Sequence, residues 1–247
     1  MSLRRWRNRL AVIVGALTLV LAGAVVLAEP VLAAIACPAC FGFERLSGTV
    51  YVDRAMTDEE RTAFQRALAE ADARLMAFYG DVVAPPIVLA CSTDACNGRL
   101  HGGGARGAAY LTIALRLAPR GLNPTIIAHE RSHIELHSRI GFWRLAEGAI
   151  PAWFDEGLAV VVSEDERYLL PPGPGDRCRL EPGEALPASA RDWRRTAGRD
   201  PELYARTACR VLRWIDGHGG SGAVLRLAKR IHDGASFEDA YRGPLDF

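Results

Sequence analysis

Lysine is almost missing from this chain: Lys229 is the only one, and arginine carries the rest of the positive charge. The 30 basic residues are balanced by 29 acidic ones, giving a formal net charge of +1. Arg4, Arg5, Arg7 and Arg9 crowd the extreme N-terminus, so the remainder is close to neutral. No basic cluster interleaved with aromatics occurs, and aromatics make up only 8% of the residues. These shortages exclude an ordinary nucleic-acid surface. Internal repeats and low-complexity tracts are also absent. The glycine run Gly102-Gly103-Gly104 has no phosphate-loop spacing and no helix signal after it. It reads as a flexible rim, with His101 beside it as a surface histidine.

One long apolar run exists. Leu10 to Ala28 is uncharged over nineteen residues, enough to span a bilayer of about 30 Å. The arginines before it place the N-terminus in the cytoplasm and send the rest across. Ala34-Ile35-Ala36 before Cys37 resembles a signal-peptidase site, so the segment is either an uncleaved anchor or a cleaved signal. Lipidation of Cys37 is a weaker alternative, because Ala34 stands where Leu is expected. The expected organisation is residues 1–36 as anchor or signal segment and 37–247 as one domain. Either way the domain is exported, membrane-held or free in the periplasm.

Cysteine usage agrees with export. The six cysteines, at 37, 40, 91, 96, 178 and 209, form an even set for which disulfides are the default outside the cytoplasm. Among the possible connectivities, the expected one joins the local pairs Cys37–Cys40 and Cys91–Cys96 and leaves Cys178–Cys209. Cys37-Pro-Ala-Cys40 also has the form of a redox motif, but it follows the apolar run rather than opening a helix after a strand.

The chemistry concentrates at residues 126–140, IIAHERSHIELHSRI, where His129-Glu130-Arg131-Ser132-His133 is an HExxH pentad. Side chains four apart stack on one helix face, so the two imidazoles can grip one zinc ion. Glu130 beside the first histidine can reach a water on the open side of that metal. Asn123 as N-cap, Pro124 at the first helical position and Gly141 as stop delimit the helix. A catalytic zinc needs a third protein ligand. Pro151 opens a second helix, PAWFDEGLA, whose Glu156 lies 23 residues after His133, enough chain for a turn and a returning helix.

HExxH followed by W-x-x-E-G-x-A resembles the gluzincin metallopeptidases, the thermolysin and aminopeptidase N-type group. The resemblance implies His129, His133 and Glu156 as ligands of one Zn2+ and Glu130 as general base. It extends over about residues 105–245. Leu203 to Ile215 looks like the family helix whose tyrosine stabilises the oxyanion in aminopeptidase-type members, which makes Tyr204 its match. Asp233 to Tyr241 looks like the closing helix of such domains. Departures exist. Val160 stands where thermolysin-like enzymes place an acid that buttresses a histidine ligand, leaving Asp155 and Glu135 as equal alternatives. No GxMEN-type motif precedes the pentad. Arg139 occupies the position of the third metzincin histidine. His137 continues the ligand face one turn too far to share the metal, and reads as packing or as support for a ligand.

The activity so implied is hydrolysis of a peptide or protein substrate. Glu130 would take the proton of a zinc-bound water and pass it to the leaving nitrogen, with Tyr204 holding the oxyanion. The alternative is an inactive peptidase-like envelope protein that serves as a binding scaffold.

The fold expected around these helices is α+β and zincin-like, a small mixed sheet with an edge strand beside the HExxH helix and a helical C-terminal part. Gly48–Asp53 alternates as a strand. Thr57 and Glu60 form a capping box that opens a helix with the stripe Phe64, Leu68, Ala71, Leu75, Phe78, ending at Gly80. Pro86–Ala90 and Ala108–Leu115 read as further strands. In proteins resembling this one, such a strand edges the cleft and binds substrate backbone by strand addition. Gly107, Ala108, Ala109, Tyr110 and Leu111 are the expected contacts. Pro171 to Gly175 marks a loop between the zinc helices and the C-terminal helices. His218 and His232 flank glycine-rich turns and have no metal spacing.

Overall fold

The computed structural model describes residues 28–243 except 84, 174 and 184, and before them residues 6, 7, 9, 12–16 and 23. Helix α1 (Pro30–Ala36) leads through a 3-10 turn at Pro38–Phe41 into strand β1 (Phe43–Ser47) and β2 (Val50–Asp53). Helix α2 (Asp58–Tyr79), strand β3 (Ile87–Ala90) and helix α3 (Asp94–Arg99) follow. A hairpin, β4 (Gly107–Tyr110) and β5 (Ala114–Leu117), precedes helices α4 (Pro124–Ile140), α5 (Phe142–Ala146) and α6 (Ala152–Ser163). A mostly irregular connection leads to α7 (Ala190–Ala197), α8 (Leu203–Gly217), α9 (Gly222–His232) and α10 (Phe237–Arg242).

The strands form one mixed sheet in the order β1-β2-β3-β5-β4. β2, β3 and β5 are parallel, and the outer pairs β1–β2 and β4–β5 are antiparallel. The architecture is therefore α+β with a mixed sheet, and β4 forms one of its edges. Alternation along the strands sorts the side chains between two cores. Val52, Val88, Ala90, Leu115 and Leu117 face the main core, which holds Phe64, Ala71 and Leu75 of α2 and Ile127, Ile134 and Ile140 of α4. Phe43 and Leu89 face a smaller cluster with Val31 and Ala34 of α1 and Leu100. α1 is thus packed onto the sheet, and the boundary expected at residue 36 falls at its end.

Local signals explain most helix ends. Thr57 and Glu60 make the reciprocal capping box of α2, and Gly80 closes that helix at φ 78°. Asn123 accepts from the Ile126 N–H at the start of α4, and Gly141 closes it at φ 91°. The expected single strand 108–115 is instead two strands. Leu111, at φ 53°, turns the chain so that β4 folds back on β5. A leucine in the left-handed region carries no turn signature, and the segment therefore reads as continuous from sequence.

The three disulfides join Cys37–Cys40, Cys91–Cys96 and Cys178–Cys209, the expected pairs. Cys178–Cys209 ties the irregular connection to α8. The run Leu10–Ala28 lies mostly outside the described residues. Among the described residues, no helix is long and apolar enough to cross a membrane.

Candidate metal centre

α4 carries His129 and His133 one turn apart, and α6 runs beside it. Glu156 on α6 completes a group whose donor atoms all lie within 4.8 Å of one another. Its Oε2 is 3.4 Å from His129 Nε2 and 3.9 Å from His133 Nε2. Two imidazole nitrogens and a carboxylate oxygen converging in this way could hold a metal ion. The donor set suits zinc among several divalent metals.

Asp155, the neighbour of Glu156, faces the other side of the same ring. Its Oδ1 lies 2.7 Å from His133 Nδ1, and its Oδ2 lies 2.9 Å from His137 Nε2. Asp155 is thus the acid that supports a histidine of the group. Glu135 accepts from the Val83 N–H at 3.1 Å and lies near Arg139. His133, His137 and Asp155 also form a second group of donors at metal-binding separation. Both Asp155 oxygens are there engaged by ring nitrogens at hydrogen-bond distance, which favours a support role.

The electrostatics follow from this crowding. Burial would depress the pKa of His133, but the charge and hydrogen bond of Asp155, then Glu156 and Glu130, push it up to about 10. Burial also works to raise the Asp155 carboxyl, yet His133 and His137 hold it well below the usual carboxylate range. The cluster calls for positive charge at the His133 Nε2, from a proton or a metal.

Glu130 is half-buried next to His129 in this group. Burial pushes its carboxyl above the ordinary carboxylate range, against the opposing pull of His129 and His133. Its side chain fills the space over Gly107: a Cβ there would lie 2.6 Å from Glu130 Cγ and 2.8 Å from Oε1. Gly107 thereby lets the edge strand come directly under this carboxylate. Gly107, Ala108, Ala109 and Tyr110 form β4, antiparallel to β5, and Leu111 lies in the turn that follows.

Tyr204 on α8 lies with its ring 6.4 Å from that of His129. It stacks on Tyr168 at 5.0 Å and meets Trp193 edge-on at 5.1 Å. Burial, then the charge of Glu156, pushes its hydroxyl pKa up, while the hydrogen bond from Trp193 acts the other way. The phenol is thus a neutral donor beside the metal group. α8 reaches this position because α6 packs closely against it at Gly157, where a Cβ would lie 2.7 Å from the Thr207 carbonyl oxygen.

The structure thus brings the donors of His129, His133 and Glu156 together, with Glu130 and the ring of Tyr204 nearby and Gly107 of the edge strand against Glu130. Sequence reasoning missed Trp193 and Tyr168, which frame Tyr204, and Arg116, a buried residue whose charge acts on Glu130. Aromatic residues distant in sequence gave no signal of a shared site. His218 and His232 bond the Trp214 and Ile140 carbonyls, at 2.7 and 3.1 Å, outside the metal group. Comparison with family models, curated proteins and solved structures finds no match to this chain.

Proposed function

We propose that this protein is a zincin-like metallopeptidase of gluzincin type, which binds one zinc ion through His129, His133 and Glu156 and hydrolyses peptide bonds in peptide or protein substrates. The observation that carries the reading is the convergence of those three donors within 4.8 Å, with Glu130 next to His129 and in their electrostatic reach. A closed structural zinc site would have no use for a carboxylate such as Glu130 next to its three donors. Zinc held by this set would supply Lewis acidity, lowering the pKa of a water it binds toward ~7.

Glu130 would take a proton from the water that attacks the peptide carbonyl carbon and pass it to the nitrogen that leaves as the C–N bond breaks. Burial raises its carboxyl pKa, which strengthens it as a base relative to an ordinary carboxylate. Tyr204 donates its phenolic proton to the developing oxyanion, while Trp193 fixes the phenol from its other side. Asp155 keeps His133 in the tautomer whose Nε2 faces the donors. β4, on the sheet edge, offers unpaired backbone groups to an extended substrate, and Gly107 admits it close to Glu130.

The domain works outside the cytoplasm, held to the membrane by Leu10–Ala28 or released from it. Three disulfides and no free cysteine among the described residues support an oxidising compartment.

The test is incubation of the detergent-solubilised full chain with a diverse peptide library, read by mass spectrometry beside Glu130→Gln. Cleavage products from the native chain alone, with zinc retained by both, are expected. Zinc-dependent cleavage that survives Glu130→Gln would sink the mechanism.

A further inference from the structure

Four large apolar side chains stand in solvent on two adjoining elements, the β4–β5 turn and α5. On the β4–β5 turn these are Leu111 and Ile113, 50% and 47% exposed. On α5 they are Phe142 and Trp143, 51% and 77% exposed. The two places are neighbours. The Leu111 carbonyl lies 3.4 Å from His137 Nδ1, in the last turn of α4, and α5 starts just past the end of that helix. Scattered exposed apolar residues need no explanation, but a group with two aromatics does. Turn tips ordinarily carry glycine, asparagine or aspartate. α5 is also firmly placed, since Arg144 donates to the Ile231 and Ala235 carbonyls at 3.0 and 2.8 Å and Leu145 packs on the core. Phe142 and Trp143 therefore project from a fixed base.

The layout of the chain indicates what covers them. The uncharged run Leu10–Ala28 ends two residues before α1 begins. α1 is docked directly on the sheet through Val31 and Ala34, in the cluster against which Ile87 and Tyr110 also pack. Ile87 donates its N–H to the Ile113 carbonyl at 2.9 Å, and Tyr110 runs straight into Leu111. The apolar turn thus connects, through Ile87 and Tyr110, to the cluster on which α1 packs, and α1 is the helix that follows the chain's most apolar segment. No linker separates the two.

We propose that Leu111, Ile113, Phe142 and Trp143 form a docking surface for a lipid bilayer, seated at headgroup depth while Leu10–Ala28 holds the chain in the same membrane. Trp143 suits that depth, with an apolar ring and a polar N–H. The inference rests on the reading of Leu10–Ala28 as a membrane segment; the docking surface itself is independent of the peptidase chemistry. Its consequence for the site is directional. β4 ends at this rim, so on the peptidase reading above a polypeptide lying along β4 would approach from the membrane side.

The experiment reconstitutes the full chain, in a Trp6→Phe background, into phosphatidylcholine vesicles with and without brominated acyl chains, which quench tryptophan on contact. Trp153, Trp193 and Trp214 are buried and serve as the unquenched reference. Flotation with the vesicles, quenching of the native rim and loss of most of that quenching in Trp143→Phe are expected. A chain that floats but shows the same quenching with and without Trp143 overturns the docking surface alone. A chain that does not float overturns the anchor premise and the proposal together, leaving the metal site unaffected. A rim that escapes quenching and whose Trp143→Phe variant converts a dimer to a monomer identifies a second copy as the occupant, and overturns the proposal.

Discussion

Asp155 holds His133 by the nitrogen that faces away from the metal group, Oδ1 to Nδ1 at 2.7 Å. The contact makes Nδ1 the donor and leaves the Nε2 lone pair for Glu156's side of the ring, so one hydrogen bond sets both tautomer and aim. Asp155→Asn removes the charge and lets an amide turn either end toward the ring. It is expected to weaken zinc binding roughly 10- to 100-fold, the usual cost of losing such a partner. Chelator competition measures this directly. Glu135→Gln, which alters an acid bonded to the Val83 backbone, should leave zinc affinity unchanged. Equal losses in the two variants would show that Asp155 has no special place.

The same pair gives a pH dependence with a definite sign. In metal-free protein the folded pKa of His133 is pushed up to about 10, above its ordinary value. A raised pKa contributes stability that is fully present below the unfolded value, near ~6.5, and is lost as pH rises through the folded one. Asp155, held low, contributes stability above its ordinary pKa that is lost as pH falls below it. The melting temperature of chelator-treated protein should therefore decline between about pH 7 and 10. With zinc in excess the decline should shrink, because metal takes the place of the proton at Nε2 and binds only the folded state. A flat profile for the metal-free protein would show that Asp155 and His133 are not coupled as described.

Legibility in the sequence follows the range of the forces involved. The pentad, the caps of α4 and the capping box of α2 are set within a few residues, and all three stand where the sequence places them. The disulfides follow from local proximity, two pairs within five residues of each other and the third by what remains. The choice between Asp155 and Glu135 depends on how α6 rotates against α4, which no local signal encodes. The turn at Leu111 was hidden because its left-handed residue is a leucine. α1 was hidden because its composition continues the apolar run before it, although Val31 and Ala34 are core residues. The frame of Tyr204 unites Tyr168 and Trp193 from separate parts of the chain, and only packing brings them together.

Gly157 controls how closely the helix bearing Glu156 approaches the helix bearing Tyr204. A methyl group there would lie 2.7 Å from the Thr207 carbonyl oxygen and 2.8 Å from Val211 Cγ2, and the backbone oxygen cannot yield as a side chain can. Gly157→Ala should push α6 and α8 apart and cost about 1–3 kcal/mol, the range for overpacking a tight core. Because Glu156 is the adjacent residue, zinc affinity should fall in the same variant. Chemical denaturation and chelator competition on one preparation test both. A fully stable Gly157→Ala with native zinc affinity would mean that the helices accommodate the methyl without moving the ligand.

Gly107 separates the two tasks of the site, since the three atoms nearest a Cβ there all belong to Glu130. A Cβ 2.6 Å from Glu130 Cγ forces either the carboxylate or the edge strand to shift. Glu130 is the more mobile of the two, because β4 is fixed to β5 along its whole length. Gly107→Ala should therefore keep its zinc, with affinity near native, while its peptidase rate falls by an amount approaching the ~10²- to 10⁴-fold contribution of a general base. Zinc content by mass spectrometry and cleavage rate on the best library substrate form the pair of readings. Zinc and rate lost together would place Gly107 in the general folding of the sheet instead. A native rate would mean that Glu130 finds its working position without the space over Gly107.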